Sequence, residues 1–197
     1  AALLLGAEPS VTVRSVCTNP TRTGFLDVLA AMGASVEMSA ARELGGETVA
    51  DLVVKGGPQG LKGTTIAGDL VVRAIDEIPI LAVAAARAQG TTIVKQAAEL
   101  RAKESDRISA TVAMLKSFGI SCEERDDGLV VHGNPGAVRP AQTVASKQDH
   151  RIAMSAAVLA LCASESAVVE DVDNVATSFP GFLAQMTALG ARLEELA

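Results

Sequence analysis

The sequence predicts an α/β domain of three βαβαββ repeats, a barrel-like arrangement turned inside out with helices buried and sheets outside. Two observations carry that prediction. A helix-to-strand unit occurs three times, as FLDVLAAMGASVE, TVAMLKSFGISCE and FLAQMTALGARLE. An Ala-rich apolar segment running into a strand precedes each copy, as AALLLGAEPSVTVRSV, PILAVAAARAQGTTIVKQ and AAVLALCASESAVVEDV. Repetition at this period marks an architecture stacked from supersecondary units.

The helix-to-strand units align on Gly33, Gly119 and Gly190. Apolar residues then fall seven, four and one positions before each glycine: Leu26, Leu29 and Met32; Val112, Leu115 and Phe118; Leu183, Met186 and Leu189. That spacing predicts one buried face per helix. The glycines suit the left-handed position just past a helix end. A short strand is expected after each, carrying Glu37, Glu123 and Glu194. The two complete Ala-rich helices are apolar nearly all round, which predicts burial on every side. The segments DLVVKG, GTTIAG and GLVVHG, bounded by Gly and Pro, supply further strands. The repeats run over about 1–66, 67–138 and 139–197. The opening AALLLG matches only the end of the other two apolar helices and has no cap before it. It predicts that the 197 residues are one domain of a longer protein.

Composition narrows the function. Hydrophobic residues make up 49% of the chain and aromatic ones 2%, so the core must be aliphatic. A net charge of −6 with no basic run argues against nucleic acid as a partner. Cys17, Cys122 and Cys162 are odd in number and lack metal-ligand spacing. They read as buried thiols of a reducing compartment. No signal peptide is visible and the apolar runs are too short to span a bilayer, which points to a cytoplasmic protein.

The charged residues are not evenly spread. From the aligned strand valines to the aligned glycines there are 20 residues in the first repeat (Val13 to Gly33) and 21 in the third (Val169 to Gly190). The second repeat has 25 (Val94 to Gly119), and ELRAKESDR fills its extra loop. An insertion in one copy of a repeat is a common entry point for function. Aligning the apolar helices on Val94 and Val169 places Asp76 over Arg151, both at a helix entrance. The segments IDEIP, AKESDR and QDHR all fall at such entrances, where free N–H groups favour anions. Lys103, Arg107 and Arg151, with Asp76, Glu104 and Asp149, therefore suit a substrate bearing phosphate and carboxylate groups, with carboxylates left to move protons. A plain surface ion pair would also account for Glu104 and Arg107, three residues apart and expected to meet on one helix face. A first-turn helix acid would account for Asp76. His150, beside an aspartate and an arginine, is the better histidine candidate, whereas His132 reads as a strand-face residue. GGPQGLKGTT looks like a phosphate loop but opens no helix, so it reads as a turn. The residues alone support an anion-binding α/β repeat domain, half of an enzyme.

Five stretches occur in order: NPTRTG (Asn19 to Gly24), IDEIPILAVAAA (Ile75 to Ala86), LRAKESDRI (Leu100 to Ile108), QDHRIAMS (Gln148 to Ser155) and ATSFPGF (Ala176 to Phe182). Together they resemble the C-terminal half of the 5-enolpyruvylshikimate-3-phosphate synthase family, most closely its bacterial class II forms, some of which tolerate glyphosate. The resemblance covers essentially all of residues 1–197. It implies the enolpyruvyl transferase fold and transfer of the enolpyruvyl group of phosphoenolpyruvate to the 5-hydroxyl of shikimate 3-phosphate, with release of phosphate. It implies no metal or organic cofactor. It also implies a partner domain on the N-terminal side, absent from these residues, that supplies most shikimate 3-phosphate contacts.

Residue by residue, the resemblance gives Asp76 the substrate hydroxyls and the 5-hydroxyl proton. Glu104 would handle the proton at the phosphoenolpyruvate methylene carbon. Lys103 would sit beside the reacting hydroxyl and phosphate. Arg107 and Arg151 would hold the phosphoenolpyruvate carboxylate, and His150 would line the same site. Many relatives carry Lys two residues before the Phe-Pro pair of the last stretch. Thr177 stands there in this sequence, so no phosphate contact is assigned to it. Two other readings are open. One is the UDP-N-acetylglucosamine enolpyruvyl transferase, which shares fold and phosphoenolpyruvate chemistry; the other is a non-catalytic anion-binding or assembly module.

Overall fold

The structure, a computed structural model, describes residues 10–55, 60–136, 138–141 and 143–196. The expected opening helix AALLLG and the GGPQ part of the expected turn lie outside the described residues.

Three sheets lie on the outside. The first is antiparallel, ordered β1 (Val11–Cys17), β3 (Glu47–Lys55), β2 (Ser35–Leu44). Helix α1 (Gly24–Ala31) links β1 to β2. The second sheet has the order β4 (Thr65–Ile66), β5 (Gly90–Val94), β7 (Gly128–Gly133), β6 (Ser121–Arg125). It carries α2 (Asp69–Arg73), α3 (Ile78–Ala86) and α4 (Arg107–Ser117). The third pairs β8 (Thr143–Ala145) with β9 (Val168–Glu170) around α5 (His150–Ala160), followed by α6 (Asp173–Ser178) and α7 (Phe182–Ala188). β4 pairs with β5, and β8 with β9, in parallel. Parallel neighbours need a crossover, and α3 and α5 are those crossovers.

The expected inside-out arrangement is present. Every residue of α3 except Ile80 is buried, and α5 buries Ile152, Ala153, Ser155, Ala156, Val158 and Leu159. The core is almost wholly aliphatic, Phe118 being its one fully buried aromatic side chain among the described residues. Small Ala side chains let α3, α4 and α5 pack against one another, which brings their N-termini to a common point.

The three aligned glycines adopt φ of +85° (Gly33), +73° (Gly119) and +94° (Gly190). Each helix closes with the same bond one residue later. The N–H of Ala34, Ile120 and Ala191 donates to the carbonyl five residues back (Leu29, Leu115, Met186) at 2.9, 3.0 and 3.0 Å. This is the six-to-one bond of the Schellman cap, which needs a left-handed residue. A Cβ at Gly119 would meet only ordinary contact, 3.6 Å from the Arg139 carbonyl oxygen. Gly119→Ala is therefore expected to cost about 1–2 kcal/mol from backbone strain alone. Urea unfolding measures it, and a loss below about 0.3 kcal/mol would contradict the strain account.

A second repeat signature was not legible in the sequence. Two positions after each aligned valine, Ser15, Gln96 and Asp171 take left-handed φ of 56°, 63° and 60°. Left-handed non-glycine residues are uncommon and need support. In two of the three, a downstream carboxylate accepts the exposed backbone N–H: Ser15 to Asp51 at 2.9 Å and Gln96 to Asp127 at 2.7 Å.

Three expectations need correction. The strand predicted after Gly190 does not form; 191–196, with Glu194, lack regular structure. In the first two repeats that strand is half of a hairpin, β2–β3 and β6–β7, whereas among the described residues 191–196 pair with no strand. The predicted face of α7 is not buried either. Leu183 and Leu189 are exposed and Met186 is half-buried. Met186 and Leu189 line an open groove with Val11, Val13 and Val54, whereas their equivalents Leu115 and Phe118 are fully buried. Finally, the three cysteines are free, but Cys17 is exposed on β1. Its Sγ lies 3.8 Å from Glu47 Oε2 on the neighbouring strand β3. Burial raises the thiol pKa of Cys122 and Cys162.

Candidate active site

The three charged entrances meet. Asp76 lies in a 3-10 turn (Ile75–Glu77) that leads into α3, one step before the first turn expected for it. Arg107 is the first residue of α4, and His150 and Arg151 are the first two of α5. Each of these helices is long enough to carry a useful dipole, and the positive ends converge.

Arg107 joins all three entrances. Its side chain is 1% exposed. Nη1 reaches Asp76 Oδ1 at 3.0 Å, Nε reaches Asp149 Oδ2 at 2.8 Å, and Nη2 reaches Glu104 Oε2 at 2.7 Å. Glu104 and Arg107 thus pair as expected, but not along a helix face. Glu104 sits in the bend before Asp106, which caps α4 by accepting the Ser109 N–H at 3.1 Å.

Arg151 bridges the other pair of entrances. Its Nη1 donates to the Asp76 carbonyl oxygen at 2.7 Å and lies 3.4 Å from Glu77 Oε1, while Nη2 lies 3.8 Å from Asp76 Oδ2. The two residues superposed by the repeat alignment are therefore direct neighbours. Lys103 completes the group, 2.8 Å from Glu99 and 3.8 Å from Asp76. The bond to Glu99, helped by the Asp76 charge, holds the Lys103 ammonium above its ordinary pKa. Lys103 is thus a cation at neutral pH. His150 is half-buried at the α5 entrance. His132, as expected, stands on the sheet face, with Nε2 3.2 Å from Glu123. Thr177 is exposed on α6.

Asp149 does more than its place in the sequence suggested. It is fully buried, caps α5 by accepting the Arg151 N–H at 2.9 Å, and accepts Arg107 Nε and the Ser105 hydroxyl at 2.8 and 3.0 Å. Burial alone would raise its pKa. The hydrogen bond and charge of Arg107, the Arg151 N–H and Ser105 outweigh that and hold the carboxyl below its ordinary value. The sequence groups Asp149 with the entrance carboxylates, but its burial against Arg107 has no local signal. The backbone before it is also unusual, with Lys147 and Gln148 both at φ 57°.

The cluster gathers Lys103, Arg107 and Arg151 against Asp76, Glu77, Glu99, Glu104 and Asp149. Carboxylates outnumber cations, so these residues satisfy one another and do not present a free positive pocket. Arg151, with its side chain 31% exposed and its carboxylate contacts at 3.4 and 3.8 Å, is the more open of the two arginines. Glu104, with its side chain 52% exposed, is the most exposed of the carboxylates paired with these two arginines. Among the described residues, no three His, Cys, Asp or Glu side chains are grouped to hold a metal ion, and no helix is long and apolar enough to cross a membrane.

The fold defines a class. The enolpyruvyl transferase NikO from Streptomyces tendae superposes with a TM-score of 0.70 over 96% of this chain at 19% identity. That likeness places the architecture among enolpyruvyl transferase folds. Sequence then narrows the class. The family model of EPSP synthase (3-phosphoshikimate 1-carboxyvinyltransferase) matches residues 1–186, and the chain belongs to that family. An EPSP synthase structure from Acinetobacter baumannii superposes with a TM-score of 0.90 at 39% identity, covering 94% of this chain and 42% of that one. The 3-phosphoshikimate 1-carboxyvinyltransferases of Geobacter sulfurreducens and Magnetococcus marinus are 49% and 47% identical over 97% and 100% of this chain. The chain spans 44% of the length of each of these two curated relatives.

Proposed function

We propose that this chain supplies the C-terminal half of the active site of a 3-phosphoshikimate 1-carboxyvinyltransferase, with shikimate 3-phosphate and phosphoenolpyruvate as substrates. The meeting of Asp76, Glu104, Lys103, Arg107 and Arg151 at three helix entrances carries this reading. In the proposed reaction the 5-hydroxyl oxygen attacks C2 of phosphoenolpyruvate and its proton passes to Asp76. The methylene carbon takes a proton from Glu104, giving a tetrahedral intermediate. Loss of a methyl proton back to Glu104 and departure of phosphate, which carries away the proton held by Asp76, form the enol ether. Arg107 and Arg151 hold the phosphoenolpyruvate carboxylate, where a guanidinium fork fits better than an ammonium. Lys103 stabilises charge on the reacting oxygen and phosphate, and His150 lines the pocket.

The excess of carboxylates over cations supports the half-site reading, because a pair of polyanionic substrates needs further cations from an N-terminal domain. The test is phosphate release with shikimate 3-phosphate and phosphoenolpyruvate. Turnover is expected from the complete enzyme that contains this chain, and none from residues 1–197 alone. Adding a separately made N-terminal half should restore it. Turnover with UDP-N-acetylglucosamine instead would replace the acceptor. Robust turnover by the isolated chain would overturn the half-site assignment.

A further inference from the structure

We infer that Arg101, together with Glu124, is a positioning pair that sets the Lys103–Glu104 turn for the proposed transfer. The kinetic part of this inference rests on that proposed reaction; the structural part does not.

Lys103, Glu104 and Ser105 lie in a bend between the 3-10 turn Ala98–Ala102 and α4, with no regular backbone ladder of their own. Groups that move protons must sit within about half an ångström of their place, so something else must hold the bend. The tip of the β6–β7 hairpin does. Arg101 Nε donates to the Asp126 carbonyl at 2.8 Å and Nη2 to the Arg125 carbonyl at 2.7 Å. Its Nη1 reaches Glu124 Oε1 at 3.0 Å, Asp106 Oδ2 at 2.7 Å and Ser109 Oγ at 3.3 Å. Glu124 Oε1 also accepts the Ser109 hydroxyl at 2.7 Å. One guanidinium thus ties the hairpin tip, the α4 cap and the start of the bend together.

The backbone agrees with this account. The Ala97 N–H donates to the Asp127 carbonyl at 2.7 Å and the Gln96 N–H to the Asp127 carboxylate. The loop is therefore fastened to the same hairpin tip at its entry, and Leu100, fully buried, anchors its middle. Arg101 itself makes no bond to Asp76, Arg107, Arg151 or Asp149 in this structure. Its influence on the site runs through the two residues that follow it. A surface ion pair would need one acceptor; five converging acceptors, two of them backbone carbonyls, are the pattern of a geometric clamp. Lys has one point charge and cannot reproduce that fork.

The test compares Arg101→Ala, Arg101→Lys and Glu124→Gln with the wild type in the complete enzyme, by steady-state kinetics and by amide hydrogen exchange. Misplacing a reacting group by about 1 Å can cost about 100-fold in rate, so Arg101→Ala is expected to lower kcat by about 10- to 100-fold. KM for phosphoenolpyruvate should change by less than about threefold, because the Lys103–Glu104 turn serves the proposed transfer while Arg107 and Arg151 hold the carboxylate. Exchange should rise over 102–106 and stay unchanged in α3 and α5. Arg101→Lys should recover only part of the rate, and Glu124→Gln should fall between it and the wild type. If Arg101→Ala does not fold, the other two variants carry the same readouts. Wild-type kcat, or unchanged exchange over 102–106, overturns the inference. A wild-type enzyme with no transfer activity would sink the proposed reaction and leave the exchange comparison standing.

Discussion

Replacing Glu104 by glutamine or alanine is expected to lower kcat of the complete enzyme by about 100- to 10,000-fold, the range of a lost general acid–base group. Stability should hardly move. The Glu104 carboxylate is half exposed, and its 2.7 Å pair with Arg107 lies at the rim of the cluster. Exposed ion pairs contribute no more than about 1 kcal/mol. Glutamine is the sharper probe, because its carbonyl can still accept from Arg107 but cannot carry the proton. If the residue were only an ion-pair partner, Glu104→Gln would keep most of the rate. Phosphate release at saturating substrates, together with a urea unfolding curve, separates the two roles. Near-wild-type kcat in the glutamine variant would remove Glu104 from the chemistry.

Asp149→Ala should behave in the opposite sense and damage the fold first. Its carboxylate is fully buried against an Arg107 side chain that is itself only 1% exposed. Removing one partner of a buried pair typically costs about 3–5 kcal/mol, because the remaining charge keeps its desolvation penalty. Arg107 retains Asp76 and Glu104, which places the expectation near about 3 kcal/mol, the lower end of that range. The lost α5 cap adds to this. Asp149→Asn keeps a cap acceptor and should cost less. The same carboxylate sets a pH dependence. Its folded pKa is depressed, so its contribution is fully present above the ordinary aspartate value of about 3.9 and is lost as pH falls through the lower folded value. The acid limb of stability should therefore flatten in Asp149→Asn. Denaturation midpoints across pH 2 to about 6 measure this window. A loss under about 1 kcal/mol for Asp149→Ala would show that the cluster relaxes around the missing carboxylate.

Much of the framework was legible because local chemistry dictates it. Gly33, Gly119 and Gly190 stand where a chain leaving a helix must turn left-handed, and all three do so with the same bond. The Ala-rich segments could only be buried, and α3 and α5 are. The extra loop of the second repeat was found by counting, and it does carry the Lys103–Glu104 turn. The third repeat was misread for the same reason that the first two were read well. Its apolar face and strand have the right pattern, but Leu183 and Leu189 stay exposed and 191–196 pair with no strand among the described residues. Pattern specifies what a segment can bury, and only a neighbour makes the burial happen.

The sequence by itself determined where the helix entrances fall, which of them carry charge, and which family's motifs they resemble. The first two follow from spacing, caps and turn residues, all of which act over a few positions; the third is a resemblance of motifs. Only the tertiary structure decided that Arg107 is buried, that Asp149 lies against it 42 residues away, and that Asp76 and Arg151, 75 apart, are neighbours. The tight packing of three small-residue helices brings their positive ends together, and charges so placed are governed by distance and desolvation rather than by position along the chain.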